Sequence, residues 1–221
     1  MAKTSPTNGH PREAANDEKT VTFRGRPVPW ITRWTGEILS PDRVALQTPR
    51  NTAPLRYAEA TLLDRDRRGV LWLREANTPG TGEPQWAEVN GPRQRRAMRA
   101  LRCQVCGEPT SPGMPVPFLF SRTELAALRH AQAQATPAVT TTPPCCQACW
   151  QTAAQFCPHL IRHGAVPCHV TTVTAWGAYG DLYLPGASVR RNIHLGYGDE
   201  RLPWLLGKQA VVLIQGIQPA G

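Results

Sequence analysis

Two Cys-x-x-Cys pairs constrain this chain more than any other feature. The first is Cys103-Gln-Val-Cys106, followed by Gly107, and the second is Cys146-Gln-Ala-Cys149. Two such pairs in a chain without a secretory signal indicate a tetrahedral metal site, because each tight turn can supply two thiolates to one ion. Zn²⁺ takes four ligands of this kind at about 2.3 Å from the metal. The spacing therefore predicts a structural Zn²⁺ held by Cys103, Cys106, Cys146 and Cys149.

The residues around each pair fit this interpretation. Gly107 suits a turn that needs a positive φ just after the second cysteine. Residues 150–156 contain neither Pro nor Gly and favour a helix, so the second pair should lie on a first helical turn. The positive end of a helix stabilises thiolates there. The alternatives are buried free cysteines or a thioredoxin-type redox pair, and neither pair follows a clear strand in a βαβ pattern.

A knuckle, an intervening segment and a Cys pair at a helix start resemble, in that order, the treble-clef zinc finger. The resemblance covers roughly residues 101–160. It implies a fold and no function, since treble clefs serve as nucleases, DNA readers, protein-interaction modules and ribosomal components. Four cysteines on one Zn²⁺ leave no open coordination position, so the metal is expected to be structural, not catalytic.

The remaining cysteines are assigned by spacing. Cys145 is interpreted as a spare thiol, because Cys146 and Cys149 already have the required separation. Cys157 lies about 12 Å beyond Cys149 along a continuous helix, too far to bind the same ion. A second site further along the chain is the alternative, but its spacing matches no standard pattern, and buried Cys with surface His is favoured. Its candidate residues are Cys157, His159, His163, Cys168 and His169.

The most basic stretch precedes the first cysteine pair. Arg93–Arg102 contains five arginines in ten residues. As one helix it would place Arg95, Arg99 and Arg102 on a single stripe, opposite an apolar face, and would lead directly into the knuckle. A stripe fixed there can bind phosphates, so Arg95, Arg96, Arg99 and Arg102 are candidate nucleic-acid contacts. The alternative is a solvated face of an arginine-rich protein.

The charge of the chain supports nucleic-acid binding only in part. The formal net charge is +9, but only three of the 25 basic residues are lysines (Lys3, Lys19 and Lys208). Such a bias towards Arg, together with 22 Pro and 18 Gly, is typical of a GC-rich genome. Some of the positive charge is therefore explained without a polyanionic partner.

No targeting or membrane segment is predicted. Residues 1–20 are polar and lack the apolar core of a signal peptide, so they are expected to form a disordered tail. No stretch approaches the roughly 18 apolar residues of a spanning helix. We therefore expect a cytoplasmic protein whose seven cysteines are reduced or metal-bound.

The predicted fold class is α+β, with short strands and hairpins packed around a treble-clef-like four-cysteine zinc site that carries a helical insertion. Residues 58–74 are expected to form a β-hairpin with a solvent-facing turn at Asp64 and Asp66. Ser121 and Glu124 have capping-box spacing and predict the inserted helix. The predicted regions are a tail (1–20), a β-rich lobe (21–92), the basic helix with the zinc region (93–165) and a β-rich end (166–221).

Several phrases resemble a group of uncharacterised actinobacterial proteins that are often associated with phages or mobile elements. The resemblance covers roughly residues 21–185 and implies zinc binding, with no established activity. It is carried by four segments: Val28–Ile31 with Trp34, Gly69–Trp72, Arg95–Met98 before Cys103–Gly107, and Cys157–Leu160.

Three functions compete. The first is a zinc-stabilised protein that binds DNA or RNA through phosphate contacts. The second is a structural or protein-interaction module in which zinc only holds the fold. The third is a treble-clef nuclease, which needs a metal-activating His on its hairpin. His130 is the only His between the two cysteine pairs, and it falls inside the predicted inserted helix. A catalytic role is therefore disfavoured.

Overall fold

The computed structural model describes residues 21–39, 41–47, 53–110, 113 and 115–220. The predicted tail, residues 1–20, lies outside this part of the chain. The fold mixes short and long strands with four α-helices in the described residues, which confirms a mixed helix and strand architecture. The helices are α1 (Gly91–Ala100), α2 (Arg122–Ala133), α3 (Gln147–Phe156) and α4 (Pro158–His163). The strands are β1 (Thr22–Phe23), β2 (Arg26–Pro27), β3 (Thr32–Trp34), β4 (Leu46–Gln47), β5 (Arg56–Tyr57), β6 (Leu71–Trp72), β7 (Pro84–Val89), β8 (Val116–Ser121), β9 (Val139–Thr140), β10 (Ala165–Leu182), β11 (Arg190–Gly196) and β12 (Leu205–Pro219).

One six-stranded sheet joins distant parts of the chain. Its order is β11-β10-β12-β6, with β8 also paired to β10 and β9 also paired to β12. All of these pairs are antiparallel except β12 with β6. Strands from the predicted N-terminal lobe, zinc region and C-terminal end therefore share one sheet. Three smaller sheets pair β1 with β2, β3 with β7 and β4 with β5.

The long pair β10 and β12 forms the centre of this sheet. Its register runs from Cys168 opposite Pro219 to Leu182 opposite Leu205. A Cβ added at Gly180 would lie 2.0 Å from the Leu206 carbonyl oxygen, so only glycine fits at this position of the strand pair. The predicted β-rich C-terminal end is confirmed, and its strands are longer than the sequence pattern indicated.

The largest apolar cluster lies where β8, β10 and β12 meet α2. Phe118 and Phe120 stack at 5.2 Å between ring centroids and are completely buried. Leu125 and Leu128 of α2 pack in the same cluster, and the inserted helix forms as the capping-box spacing predicted. The Ser121 hydroxyl accepts from the Glu124 backbone N–H at 3.2 Å. The reciprocal half of the capping box is not made, because the Glu124 carboxylate accepts from the hydroxyls of Thr140 and Thr142 instead.

The hairpin predicted for residues 58–74 does not form at its predicted length. It is reduced to one antiparallel bridge between Arg65 and Leu71, and β6, the strand in this segment, also pairs in parallel with β12. Asp64 does not face solvent either: its side chain is only 8% exposed and forms an ion pair with Arg74 at 2.7 Å. Asp66 accepts hydrogen bonds from two backbone N–H groups and from the Trp72 indole. The two carboxylates thus stabilise a folded loop. The turn-like sequence around them did not indicate this role.

The basic stretch is also shorter as a helix than predicted. Helix α1 begins after Asn90, whose side chain accepts from the Arg93 backbone N–H at 3.1 Å. It ends at Ala100, because Leu101 adopts a left-handed conformation with φ of 48°. Arg102 therefore lies outside the helix and does not share a helical stripe with Arg95 and Arg99.

Candidate metal site

The first cysteine pair lies on a tight backbone knuckle. The Cys103 N–H donates to the Glu108 carbonyl at 2.8 Å, and the Gly107 N–H donates to the Cys103 carbonyl at 2.9 Å. Gly107 has φ of +76°, as predicted. A Cβ at this position would also lie 2.9 Å from the ring of Trp30, which packs against the turn. Both the backbone conformation and the close packing therefore require glycine.

The second pair lies at the start of a helix, which confirms the prediction. Cys146 is the residue before α3, and Cys149 lies in its first turn, where its N–H donates to the Cys146 carbonyl at 2.9 Å. The knuckle and this helix start are joined directly. The Gln104 N–H donates to the Pro144 carbonyl at 2.9 Å, and the Gln104 side chain donates to the Pro143 carbonyl at 3.1 Å. These hydrogen bonds hold the two cysteine pairs against each other without the help of a metal ion.

The four predicted cysteines form one cluster. Their Sγ atoms all lie within 4.8 Å of one another, and those of Cys106 and Cys146 are 3.9 Å apart. A tetrahedron with metal–sulfur bonds of about 2.3 Å has sulfur–sulfur edges of about 3.8 Å. The cluster can therefore hold a metal ion with little rearrangement. Cys103 is buried and the other three are half-buried, so an ion there would be shielded on one side and close to solvent on the other.

The thiols differ in their readiness to lose a proton. Hydrogen bonds, first from the Cys145 thiol and then from backbone N–H groups, lower the pKa of Cys103 to about 4. Burial raises the pKa of Cys106 to about 12 and raises that of Cys149 as well, and neighbouring thiolates add to both effects. The cluster therefore stabilises one thiolate, at Cys103, and disfavours the deprotonation of further thiols. A bound divalent cation reverses this balance, because it stabilises all of its thiolate ligands.

Two further cysteines lie near the cluster but outside it. Cys145 is completely buried, and its hydrogen bond to Cys103 together with burial raises its pKa. Its carbonyl accepts from the Trp150 indole at 2.8 Å. Cys157 is the residue that separates α3 from α4. Neither thiol belongs to the four-cysteine group, in agreement with their interpretation as spare thiols.

No second cluster of metal-binding groups occurs within the described residues. The side chains considered for such a site are dispersed. His159 and His163 face each other on α4, with ring centroids 4.6 Å apart. Cys168 is buried in the sheet, and His169 packs on Trp150 and contacts Gln147 at 3.0 Å.

The candidate nucleic-acid residues differ in exposure. Arg99 is exposed, and Arg96 lies over the Trp30 ring at 5.9 Å. Arg95 is half-buried over the Trp72 ring at 4.6 Å, and burial lowers its pKa to about 10. Arg102 donates to the Gly107 carbonyl at 2.8 Å and so braces the knuckle.

Arg93 has a role that the sequence pattern did not reveal. It is 1% exposed and binds Glu37, which is fully buried, through two hydrogen bonds of 2.5 and 2.8 Å. Glu37 also accepts from the backbone N–H groups of Trp34 and Thr78, so it ties its own segment and the segment at Thr78 to α1. One signal was available: Arg93 lies four residues before Ala97 and so shares the buried face of the helix.

Comparison with protein-family models, with curated proteins and with solved structures yields no match to this chain. The resemblance to actinobacterial phage-associated proteins stays a prediction. Within the described residues, every helix is too short or too polar to cross a bilayer.

Proposed function

We propose that this chain binds one structural Zn²⁺ at the four-cysteine cluster and uses the adjacent arginine-rich surface to bind nucleic acid. The zinc assignment rests on the sulfur spacing of the cluster and on an all-thiolate donor set, which favours Zn²⁺ over hard cations. The treble-clef-like order of knuckle and helix supports it. The usual hairpin is replaced here by β8, α2 and β9, and β8 and β9 pair with β10 and β12 instead of with each other.

The nucleic-acid proposal rests on one observation: guanidinium groups are fixed on aromatic rings along α1. Arg95 lies over Trp72 and Arg96 over Trp30, while Arg99 extends from the same helix into solvent. Fixed cations lose less conformational entropy when they bind phosphates. Arg95 and Arg102 have structural contacts as well, so we assign the main phosphate contacts to Arg96 and Arg99.

A salt series tests this assignment. Fluorescence anisotropy would measure the affinity of zinc-loaded protein for labelled single-stranded and duplex DNA and RNA. Changing Arg96 and Arg99 to Gln should weaken binding uniformly across sequences and reduce the log–log salt slope by about two units. The matched control changes Arg129 and Arg190, two exposed arginines elsewhere, to Gln. It has the same net charge as the Arg96 and Arg99 double variant. Equal losses of affinity in the two double variants would show that binding depends only on the net charge of the protein.

A protein-interaction module is the second candidate function, and a specific surface favours it. An apolar cavity of about 450 Å³ lies between β7 and helices α3 and α4. Trp86 and Phe156 line it and are 37% and 38% exposed. Exposed aromatic side chains beside a cavity are typical of protein-binding sites. This function predicts no nucleic-acid binding at low salt and no effect of the Arg96 and Arg99 changes.

A further inference from the structure

A second cavity lies beside α1. We call it the Arg95 cavity. It has a volume of about 470 Å³ and is enclosed by α1, by β10 and β12, and by the loop that leads into β6. Val173, Ala175 and Val211 contribute apolar surface to it. Its size lies within the range of about 300–1,000 Å³ that is typical of small-ligand pockets.

The charged groups of the Arg95 cavity are mostly cationic. Arg68, Arg95 and Arg99 all line it, and Asp66 is the one acidic side chain among its described lining residues. The Asp66 carboxylate is already bound to the N–H groups of Arg68, Val70 and Trp72. The cavity therefore has an excess of two positive charges, which favours an anionic ligand.

Arg95 has hydrogen-bonding capacity left over. Its Nη1 atom is buried and has no hydrogen-bond partner within the described residues. This atom lies on the Gly91 side of the helix, because a Cβ at Gly91 would lie 3.0 Å from Nη1 and 2.7 Å from Oε2 of Glu75. Glu75, the first of the nearby acids that stabilise the Arg95 charge, already accepts from the Gly91 N–H at 2.7 Å.

Two guanidinium groups at the cavity lie over aromatic rings. Arg95 lies over Trp72 at 4.6 Å, and Arg68 lies over Tyr197 at 4.0 Å. Guanidinium planes are surfaces on which nucleobases stack, and the same groups bind phosphate oxygens. An apolar floor with cationic planes therefore suits a ligand that combines a planar ring with a phosphate.

We propose that the Arg95 cavity binds one unstacked nucleotide, with the base inside the cavity and the phosphate beside Arg68 and Arg99. This inference rests on the proposed nucleic-acid function and adds a substrate class to it: single strands in preference to duplexes. A base in a duplex must first unpair and leave the stack to enter such a cavity, whereas a base in a single strand is free to enter.

Filling the cavity tests the proposal without removing a charge. Ala175 is an exposed lining residue on β10, so Ala175→Phe should occupy the base position. The matched control is Thr174→Phe, because Thr174 is the exposed neighbour on the opposite face of the strand. The probes are a labelled oligothymidylate, its duplex with oligoadenylate, and unlabelled AMP as a competitor. Circular dichroism and zinc content report folding. If Ala175→Phe does not fold, Arg68→Gln takes its place.

Wild-type protein should bind the single strand at least about tenfold more tightly than the duplex. Ala175→Phe should remove that preference, and Thr174→Phe should keep it. Competition by AMP would identify free mononucleotides as a second source of the ligand. If AMP binds and neither oligonucleotide does, the cavity assignment stands and the proposed nucleic-acid function fails.

Equal affinity for strand and duplex, unchanged by Ala175→Phe, would overturn the cavity proposal and leave the phosphate contacts of Arg96 and Arg99 intact. A single-strand preference that Ala175→Phe does not alter would also overturn it. Absence of binding by all three probes would reject both the cavity proposal and the nucleic-acid function.

Discussion

The metal region and the central sheet are stabilised in different ways. Around the cysteine cluster the buried residues are two cysteines and four aliphatic residues: Cys103, Val105, Leu119, Cys145, Ala153 and Leu160. The sheet buries Phe118, Phe120 and the apolar faces of β10 and β12. The buried cluster around the cysteines contains no buried aromatic side chain, so we expect its stability to depend more on its thiols and on a bound metal. Metal removal and core truncation should therefore destabilise separate parts of the molecule.

The largest effect should come from loss of a metal ligand. Cys103→Ser should abolish tight Zn²⁺ binding and unfold the knuckle, because a structural zinc site contributes on the order of 10 kcal/mol when formed. Metal analysis of purified protein and hydrogen exchange across residues 101–110 and 144–157 would measure this. Cys145→Ser, next to the proposed ligand Cys146, is the control and should retain about one zinc per chain. Zinc loss in Cys145→Ser, with zinc retained in Cys103→Ser, would make Cys145 the ligand and Cys103 the spare thiol.

Truncation of the sheet core should have the next largest effect. Phe118→Ala should lower the free energy of unfolding by about 3–5 kcal/mol, because Phe118 is completely buried. Denaturant titration of the zinc-loaded protein would measure it. The zinc content of the folded variant should not change. Phe156→Ala, at a residue 38% exposed, should cost much less. Zinc loss in folded Phe118→Ala would show that the two regions are energetically coupled.

The buried ion pair of Glu37 and Arg93 should come next. Glu37→Gln preserves shape but leaves the Arg93 cation unpaired, so we expect a loss of about 3 kcal/mol in the free energy of unfolding. Replacing both residues, with Glu37→Leu and Arg93→Met, should be less harmful than either single change if the unpaired charge is the cause. Thermal denaturation of the variants would decide. Additive losses would instead indicate that the pair acts through its separate backbone contacts.

Metal affinity should depend on pH. The pKa values of Cys106 and Cys149 are raised, so these thiols are protonated at neutral pH and must release protons when they bind a cation. Affinity should therefore rise with pH, by about tenfold per pH unit for each proton released, and fall as the solution becomes acidic. Competition with a zinc chelator between mildly acidic and mildly basic pH would measure the slope. A flat profile would mean that the thiols are deprotonated before the metal arrives.

The smallest effect should come from Arg102→Gln. This change removes the hydrogen bond of 2.8 Å to the Gly107 carbonyl, which is worth about 1 kcal/mol. It should therefore accelerate zinc release to a chelator with little effect on the sheet. Arg99→Gln, at an exposed position of the same stretch, should leave zinc release unchanged. Equal zinc release rates in the two variants would assign Arg102 to the surface, where it would be available to phosphates.

Features that depend on near neighbours in the chain could be predicted from the sequence alone. The cysteine spacing specified the cluster, Gly107 specified the knuckle turn, and Ser121 with Glu124 specified the start of α2. Each of these signals lies within a few residues, so backbone geometry and local hydrogen bonds enforce it whatever the remaining chain does.

Which charged groups are structural depends instead on tertiary packing. Arg93 and Arg99 belong to the same basic stretch, yet one is sealed against Glu37 and the other is exposed. Glu37 lies 56 positions away in sequence from Arg93, and the pairing of β6 with β12 joins segments that are further apart still. The burial of a side chain depends on what packs over it, and distant parts of the chain supply that cover. The sequence pattern of a short segment therefore contains too little information to separate a buried arginine from a solvated one.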